Sequence, residues 1–356
     1  MFVNTSSSIL WGAVLFSSLA FAACGDGDGE ENPNGNTDGE FVLPADPFNE
    51  RRCPEIGDNA HMQFEEGFEN VDNQRFYRGR FRVEKSYGRD VIGQENVEQL
   101  LHGRYFRSEN VLPGSGNGVA GERVQIFASE EGQWINIGST TTNADGFYDF
   151  DIPAEHQVGV GNHRMLAVLE ATGTCNEHGV FVWPAQTKSV ISDIDGTLTR
   201  DDAEFLSQLS NNALIPLQNE AADAMMQAWD DKGFAVTYLT ARPNEFRWLS
   251  RVWLREEGFP FGPMETAETF VYGASAREYK GRFVTAMHAL NYEFAAAYGN
   301  AESDVQAYAD GGIPKAVTFT INEAAGMDGT VAISPFDWTS HISEFVNPHA
   351  TTDNGF

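Results

Sequence analysis

Residues 188–200 read KSVISDIDGTLTR, and this stretch constrains the chain more than any other. Val190 and Ile191 are β-branched and apolar, which predicts the end of a buried strand. Asp193 and Asp195 follow, then Gly196, which permits a tight turn, and Thr197, which supplies a hydroxyl. Residues i and i+2 of a strand share a face, so the two carboxylates would project together. Their place would be the strand's carboxyl end, where open α/β sheets hold their ligands. Two acids this close repel unless a cation lies between them or one keeps its proton. The first arrangement makes a magnesium site beside a nucleophilic carboxylate; the second makes an acid–base pair. D-x-D-G alone also fits an ordinary Asp-Gly turn, so the rest of the chain has to decide.

Downstream, Phe234–Thr240 is a second apolar run ending in a hydroxyl at Thr240. Ahead of it Ala222, Met225, Met226 and Trp229 form one helical stripe, stopped by Gly233. Ser275-Ala-Arg-Glu278 reads as a capping box, starting a helix that carries Lys280 near its first turn. Phe294–Tyr298 reads as a third strand, broken by Gly299-Asn300, with Asp304 following. Acid pair, hydroxyl, lysine and Asn/Asp, in that order, are the groups that phosphoryl transfer through an aspartyl-phosphate requires.

The stretches SDIDGTLT, YLTARP and AAYGNAESDVQAYADGGIP with its following TFTIN carry a resemblance. Residues 188–346 resemble the haloacid dehalogenase (HAD) superfamily, and within it the lipin-type phosphatidate phosphatase domain. That domain also occurs in Nir/RdgB phosphatidylinositol-transfer proteins. The resemblance implies a HAD-like Rossmannoid α/β fold over 187–347, three layers about a mainly parallel sheet, with a tail at 348–356. It implies that Asp193 is the nucleophile and Asp195 the general acid–base, with Thr240 and Lys280 holding the phosphoryl oxygens. Gly196, Thr197 and Arg242 would face the substrate. Mg²⁺ would be held by Asp193, the backbone carbonyl of Asp195, Asn300 and Asp304. In Nir/RdgB relatives the first Asp is replaced and the domain binds phosphatidic acid without hydrolysing it, whereas this chain keeps both acids. The implied activity is a Mg²⁺-dependent phosphatase, with phosphatidic acid as leading substrate. Thr197–Asn219 and Thr240–Lys280 are too short for a large cap domain, which suits a headgroup presented by a membrane. The alternatives are a non-catalytic phosphatidic-acid-binding module and a periplasmic phosphatase for soluble phosphomonoesters.

A net charge of −29 excludes nucleic acid as a natural partner, since a phosphate backbone needs Lys and Arg. Ile9–Ala23 is apolar but short for a bilayer of about 30 Å, so residues 1–24 read as an export signal. Phe21-Ala-Ala-Cys24 resembles a bacterial lipobox, which would lipidate Cys24; Ala20-Phe-Ala22 would also suit ordinary signal peptidase. Residues 25–50 form an acidic tether that cannot build a core. These features predict an exported cell-envelope lipoprotein, periplasm-facing or surface-exposed, held to a membrane by its anchor. Cys53 and Cys175, the remaining cysteines, are expected to pair in that setting.

Residues 51–186 read as a small all-β sandwich. Arg123–Ala128, Gln133–Thr142, Phe147–Ile152 and Arg164–Glu170 have strand lengths, separated by turn signals at Glu131-Gly132 and 143–146. STTTNADGFYDFDIP resembles transthyretin-like or carboxypeptidase-regulatory-like domains, and the domain as a whole is expected to be transthyretin-like or Ig-like. Arg75, Arg78, Arg80 and Arg82 form a basic cluster in an acidic chain. Only a few residues separate Trp183-Pro184 from Lys188, so the two domains should touch.

Overall fold

The computed structural model describes residues 83–108, 116–210 and 214–356, together with Asn70 and Asn73. The residues expected to form an export signal and tether, with Cys24, Cys53 and the arginines at 75, 78, 80 and 82, lie outside the described residues. Cys175 is disulfide-bonded.

The first domain is two facing sheets. One is centred on β3 (Leu100–Ser108), which pairs with β1 (Val83–Gly88), β4 (Asn117–Gly118) and β7 (Phe147–Asp151). The other runs β2 (Val91–Gly93), β9 (Cys175–Val182), β8 (Gly161–Leu169), β5 (Arg123–Glu130), β6 (Gln133–Thr141). Leu101, Tyr105, Tyr148 and Phe150 from the first sheet meet Val124, Ile126, Met165, Ala167 and Val180 from the second. The β5–β6 hairpin turns on Glu131 and Gly132, both at positive φ, the pair that matches the twist of the flanking strands. Strands β1, β3 and β9 were not expected. Their alternation is obscured by polar residues that are nonetheless buried, among them Lys85, Ser86, Asn176 and His178.

The second domain is a six-stranded sheet in which every pairing is parallel. Its strands are β10 (Lys188–Ser192), β11 (Ala235–Pro243), β12 (Met264–Ala267), β13 (Glu293–Gly299), β14 (Thr318–Thr320) and β15 (Val331–Ala332). The spatial order is β12-β11-β10-β13-β14-β15. Alternate strand residues feed two cores. Val190, Tyr238 and Ala296 pack with Met225, Met226 and Trp229 of helix Ala222–Asp230. Ile191, Leu239 and Ala297 pack instead with Val284 and Tyr308 from helices Ala274–Ala289 and Glu302–Asp310. Because β11 and β13 flank β10 on opposite sides, the chain reverses its winding at β10. A crevice opens at the carboxyl end of such a strand.

The capping box expected at Ser275–Glu278 does not form. The N-cap is Gly273, at φ 50, and the helix has already begun by Ser275. The Ser275 hydroxyl instead closes a local turn with Tyr272, and Glu278 pairs with Arg282 on the exposed face. The positive φ of Gly273 is what lets the chain enter the helix earlier than the side-chain pattern implies. The tail at 348–356 packs back: Asn354 bonds Lys188 and Gly233, and Phe356 stacks on Trp183.

Ion pairs join the two domains, those of Lys85 and Asp90 buried. Lys85 meets Glu245 at 3.0 Å, and Arg89 meets Glu265 at 2.8 Å. Asp90 accepts from Arg247 and Arg251, and from the backbone N–H groups of Met264 (2.8 Å) and Gly179 (2.8 Å). Burial alone would raise the Asp90 carboxyl, but the two guanidinium groups outweigh it and hold it below the usual carboxylate range.

Two histidines are buried uncharged. Burial lowers His178, bonded to Tyr148 and Arg89, from 6.5 to about 4. It does the same to His341, packed on Phe319 and bonded to Tyr298. Below pH 6.5 the unfolded chain takes up these protons and the folded chain does not, so stability falls as pH drops from 6.5 to 4. The expected loss is on the order of 3 kcal/mol per histidine. The raised Asp193 carboxyl acts in the opposite sense, so the test is a comparison: the fall in denaturant midpoint from pH 7 to 4.5 should be smaller in His341→Asn than in wild type, and an equal fall would rule this out.

Candidate active site

The Asp193 N–H extends the β10 ladder by one bond, to Tyr298 O at 3.0 Å, so its carboxylate leaves from the end of the central strand. Beyond it the chain coils tightly: Thr197, Leu198 and Thr199 all donate to Ile194 O. Amide and indole groups hold the loop's outward carbonyls. Asn322 Nδ2 donates to Gly196 O (2.8 Å), Asn219 Nδ2 to Thr197 O (2.8 Å), and Trp338 Nε1 to Thr197 O (3.3 Å). Asn322 and Trp338 are remote in sequence and gave no signal of this role. Gly196 sits at φ 67, where a Cβ would come 2.1 Å from Asn300 Nδ2 and 2.5 Å from Asp202 Oδ1. Gly196→Ala should therefore cost about 1–3 kcal/mol, visible as a lowered melting temperature. An unchanged Tm would contradict that geometry.

Asp193, Lys280 and Asp304 form one buried cluster. Lys280 Nζ donates to Asp193 Oδ1 at 2.7 Å and to Asp304 Oδ1 at 2.6 Å. Helix Ala274–Ala289 delivers the lysine, and Asp304 stands in the first turn of helix Glu302–Asp310. The second oxygen of Asp304 accepts from the N–H groups of Asn300 and Ala301, both at 3.1 Å. Thr197 Oγ1 lies 3.4 Å from Asp193 Oδ2 and donates to Asn300 Oδ1 at 3.2 Å. Asn300 Nδ2 donates to Asp202 at 2.9 Å. Burial pushes the Asp193 carboxyl up to about 8; Lys280 opposes that shift, and Asp304 and Asp195 add to it. Burial would lower Lys280, but its two carboxylate partners hold the ammonium well above its ordinary value.

Asp195 is gripped from the side. Arg242 donates to it through Nε (2.9 and 3.0 Å) and its second terminal nitrogen (2.6 Å), and Thr240 Oγ1 adds a contact at 3.3 Å. The remaining terminal nitrogen of Arg242 donates to Ser250 Oγ at 2.9 Å, and the guanidinium lies over Phe205 at 4.4 Å. Of the residues expected to face a substrate, Arg242 thus has all three nitrogens engaged within the protein. Thr240 is buried with its hydroxyl turned to Asp195.

These groups line a cavity of about 470 Å³. Its acidic end has Asp193, Asp195, Asp201, Asp202 and Asp304 against two cations, Arg242 and Lys280. The same lining includes the side chains of Phe205, Phe270, Val271 and Tyr272. Among the described residues no three His, Cys, Asp or Glu side chains converge as a metal cage. The donor set nevertheless fits Mg²⁺, which takes hard oxygens, keeps several waters and needs only one or two carboxylates. Five carboxylates facing two cations, and a buried Asp193 whose charge is disfavoured, are what a divalent ion would relieve. Asp193, Asp304 and the Asp195 carbonyl would hold it. The Asn300 amide oxygen already accepts from Thr197.

Comparison with known proteins places both domains together in another setting. Residues 190–322 match the LNS2 domain of PITM 1-3. Residues 85–182 match the beta-sandwich domain of the same proteins. The chain is similar to rat membrane-associated phosphatidylinositol transfer protein 1, 25% identical over 240 residues, covering 66% of this chain and 18% of that protein. Human membrane-associated phosphatidylinositol transfer protein 3 is 26% identical over 236 residues, covering 65% of this chain and 23% of the relative. Fruit-fly protein retinal degeneration B is 25% identical over 182 residues, covering 50% of this chain and 14% of its own length. This chain thus spans less than a quarter of each of these relatives.

Proposed function

We propose that the protein is a Mg²⁺-dependent phosphatase that works through an aspartyl-phosphate and removes phosphate from phosphatidic acid or a related lipid phosphate. The observation that carries this reading is the buried Asp193–Lys280–Asp304 cluster with Asp195 beside it at the floor of one cavity. A carboxylate oxygen of Asp193 forms a bond to phosphorus as the ester P–O bond breaks, and the departing alkoxide takes its proton from Asp195. Water then forms a bond to phosphorus as the acyl-phosphate P–O bond breaks, returning a proton to Asp195 and the carboxylate to Asp193. Lys280 offsets charge on the phosphoryl oxygens throughout. Magnesium, when bound, supplies further positive charge at those oxygens.

The lipid enters the reading on two grounds. The relatives are named as phosphatidylinositol transfer proteins, and the cavity lining includes apolar side chains beside the acids. An exported lipoprotein anchored through Cys24 would keep this site at a membrane. A second reading is a phospholipid-binding module without turnover, in keeping with relatives named as phosphatidylinositol transfer proteins. Phosphate release from dispersed phosphatidic acid and from a soluble aryl phosphate, with and without Mg²⁺, separates them. Mg²⁺-dependent release from the lipid supports the proposal, and release from the aryl phosphate alone keeps the chemistry and removes the lipid. Capture of phosphatidic acid liposomes with no release identifies the binding module.

A further inference from the structure

The wall of the cavity that holds Asp195 is itself held by the β-sandwich. Arg247 and Arg251 stand one turn apart on helix Arg247–Glu256, and both are buried. Two buried guanidinium groups side by side need a carboxylate, and among the described residues no carboxylate of the α/β domain lies at ion-pair distance from either. Asp90 does, from the turn between β1 and β2, with its side chain only 2% exposed. Arg251 also donates to Gly262 O at 2.6 Å and Arg247 to Met264 O, so Asp90 ties the helix to strand β12 as well. A neighbouring face of the same helix carries Ser250, which accepts from Arg242, and Arg242 grips Asp195. The segment between Arg242 and that helix is pinned a second time, where the sandwich residue Lys85 meets Glu245.

We propose that the β-sandwich is a working part of the phosphatase, with Asp90 and Lys85 as positioning residues that fix Asp195 through Ser250 and Arg242. The inference rests on the phosphatase reading for its kinetic consequence but not for its structural one. Neither Asp90 nor Lys85 touches the cavity, and neither lines it. They act by removing freedom from the helix, so their loss should degrade the placement of Asp195 while leaving the apolar lining and the substrate's own contacts in place. A small misplacement of a reacting group costs rate far more than binding.

The test uses the full chain as wild type, Asp90→Asn and Ser250→Ala, with both hydrogen exchange and kinetics. In Asp90→Asn, amides over 193–199 and 240–250 should exchange faster than in wild type, while those of β5 and β8 keep their protection. Turnover of a phosphomonoester should fall ~10-fold to 100-fold in kcat, with KM within about twofold. Ser250→Ala removes none of the ion pairs between the domains, so it remains informative if Asp90→Asn fails to fold. It should lower kcat similarly, and the double variant should be no slower than the slower single one, because both act on one chain of contacts. Exchange changes confined to 177–181 and 262–266, with 193–199 unaffected, would overturn the proposal. So would kcat per folded molecule equal to wild type in Ser250→Ala. If wild type releases no phosphate yet exchange over 193–199 responds to Asp90→Asn, the coupling stands and the phosphatase reading is what fails.

Discussion

Asp193→Asn will lower phosphate release by about 10⁴-fold or more, because it removes the atom that attacks phosphorus. The same change should leave the melting temperature equal or higher. In the folded chain burial pushes the Asp193 carboxyl up to about 8, so at neutral pH it opposes folding: the unfolded chain ionises it freely and the folded chain holds it largely protonated. An uncharged amide of the same shape relieves that opposition and leaves Lys280 paired with Asp304 at 2.6 Å. Loss of activity with retained stability marks a residue kept for chemistry. A parallel loss of activity and stability would mean that Asp193 holds the fold instead.

The second large effect lies away from the cavity. Asp90→Ala should destabilise the protein by about 3–5 kcal/mol, because Arg247 and Arg251 lose their buried carboxylate and the Met264 and Gly179 N–H groups lose their acceptor. The pH dependence is a further check. Asp90's folded carboxyl lies below its ordinary value, so its contribution is complete above about pH 4 and is lost as pH falls below that. Wild type and Asp90→Ala should thus differ most at neutral pH and converge in strong acid. Equal denaturant midpoints at pH 7 would show that the guanidinium pair finds other partners.

The sequence reveals the floor of the site better than its walls. Asp193, Asp195 and Thr197 lie at alternate positions of one short stretch, and the β-branched pair Val190-Ile191 marks the strand they leave. Lys280 and Asp304 could be placed by their order along the chain, and the structure brings Lys280 onto Asp193 and Asp304 onto Lys280. Arg242 could be placed near the site but not given its partner. Its contact with Asp195 spans 47 residues, and an arginine in a phosphatase-like motif reads first as a phosphate ligand. Lys85 and Asp90 were not legible at all. A single lysine or aspartate in a short strand reads as solvated, and only the docking of a second domain buries it. The same cause hid β1 and β9, whose buried polar residues break the two-residue period. Gly273 shows the limit at the scale of one residue, where Ser275 and Glu278 carry the capping pattern and a left-handed glycine overrides it.

The most direct test of the central claim is to quench turnover with acid while a phosphate-labelled substrate is being consumed, then map the label. The mechanism predicts a hydroxylamine-sensitive acyl phosphate on the peptide carrying Asp193, absent in Asp193→Asn. Phosphate release without label on that peptide, or label on another residue, would contradict it.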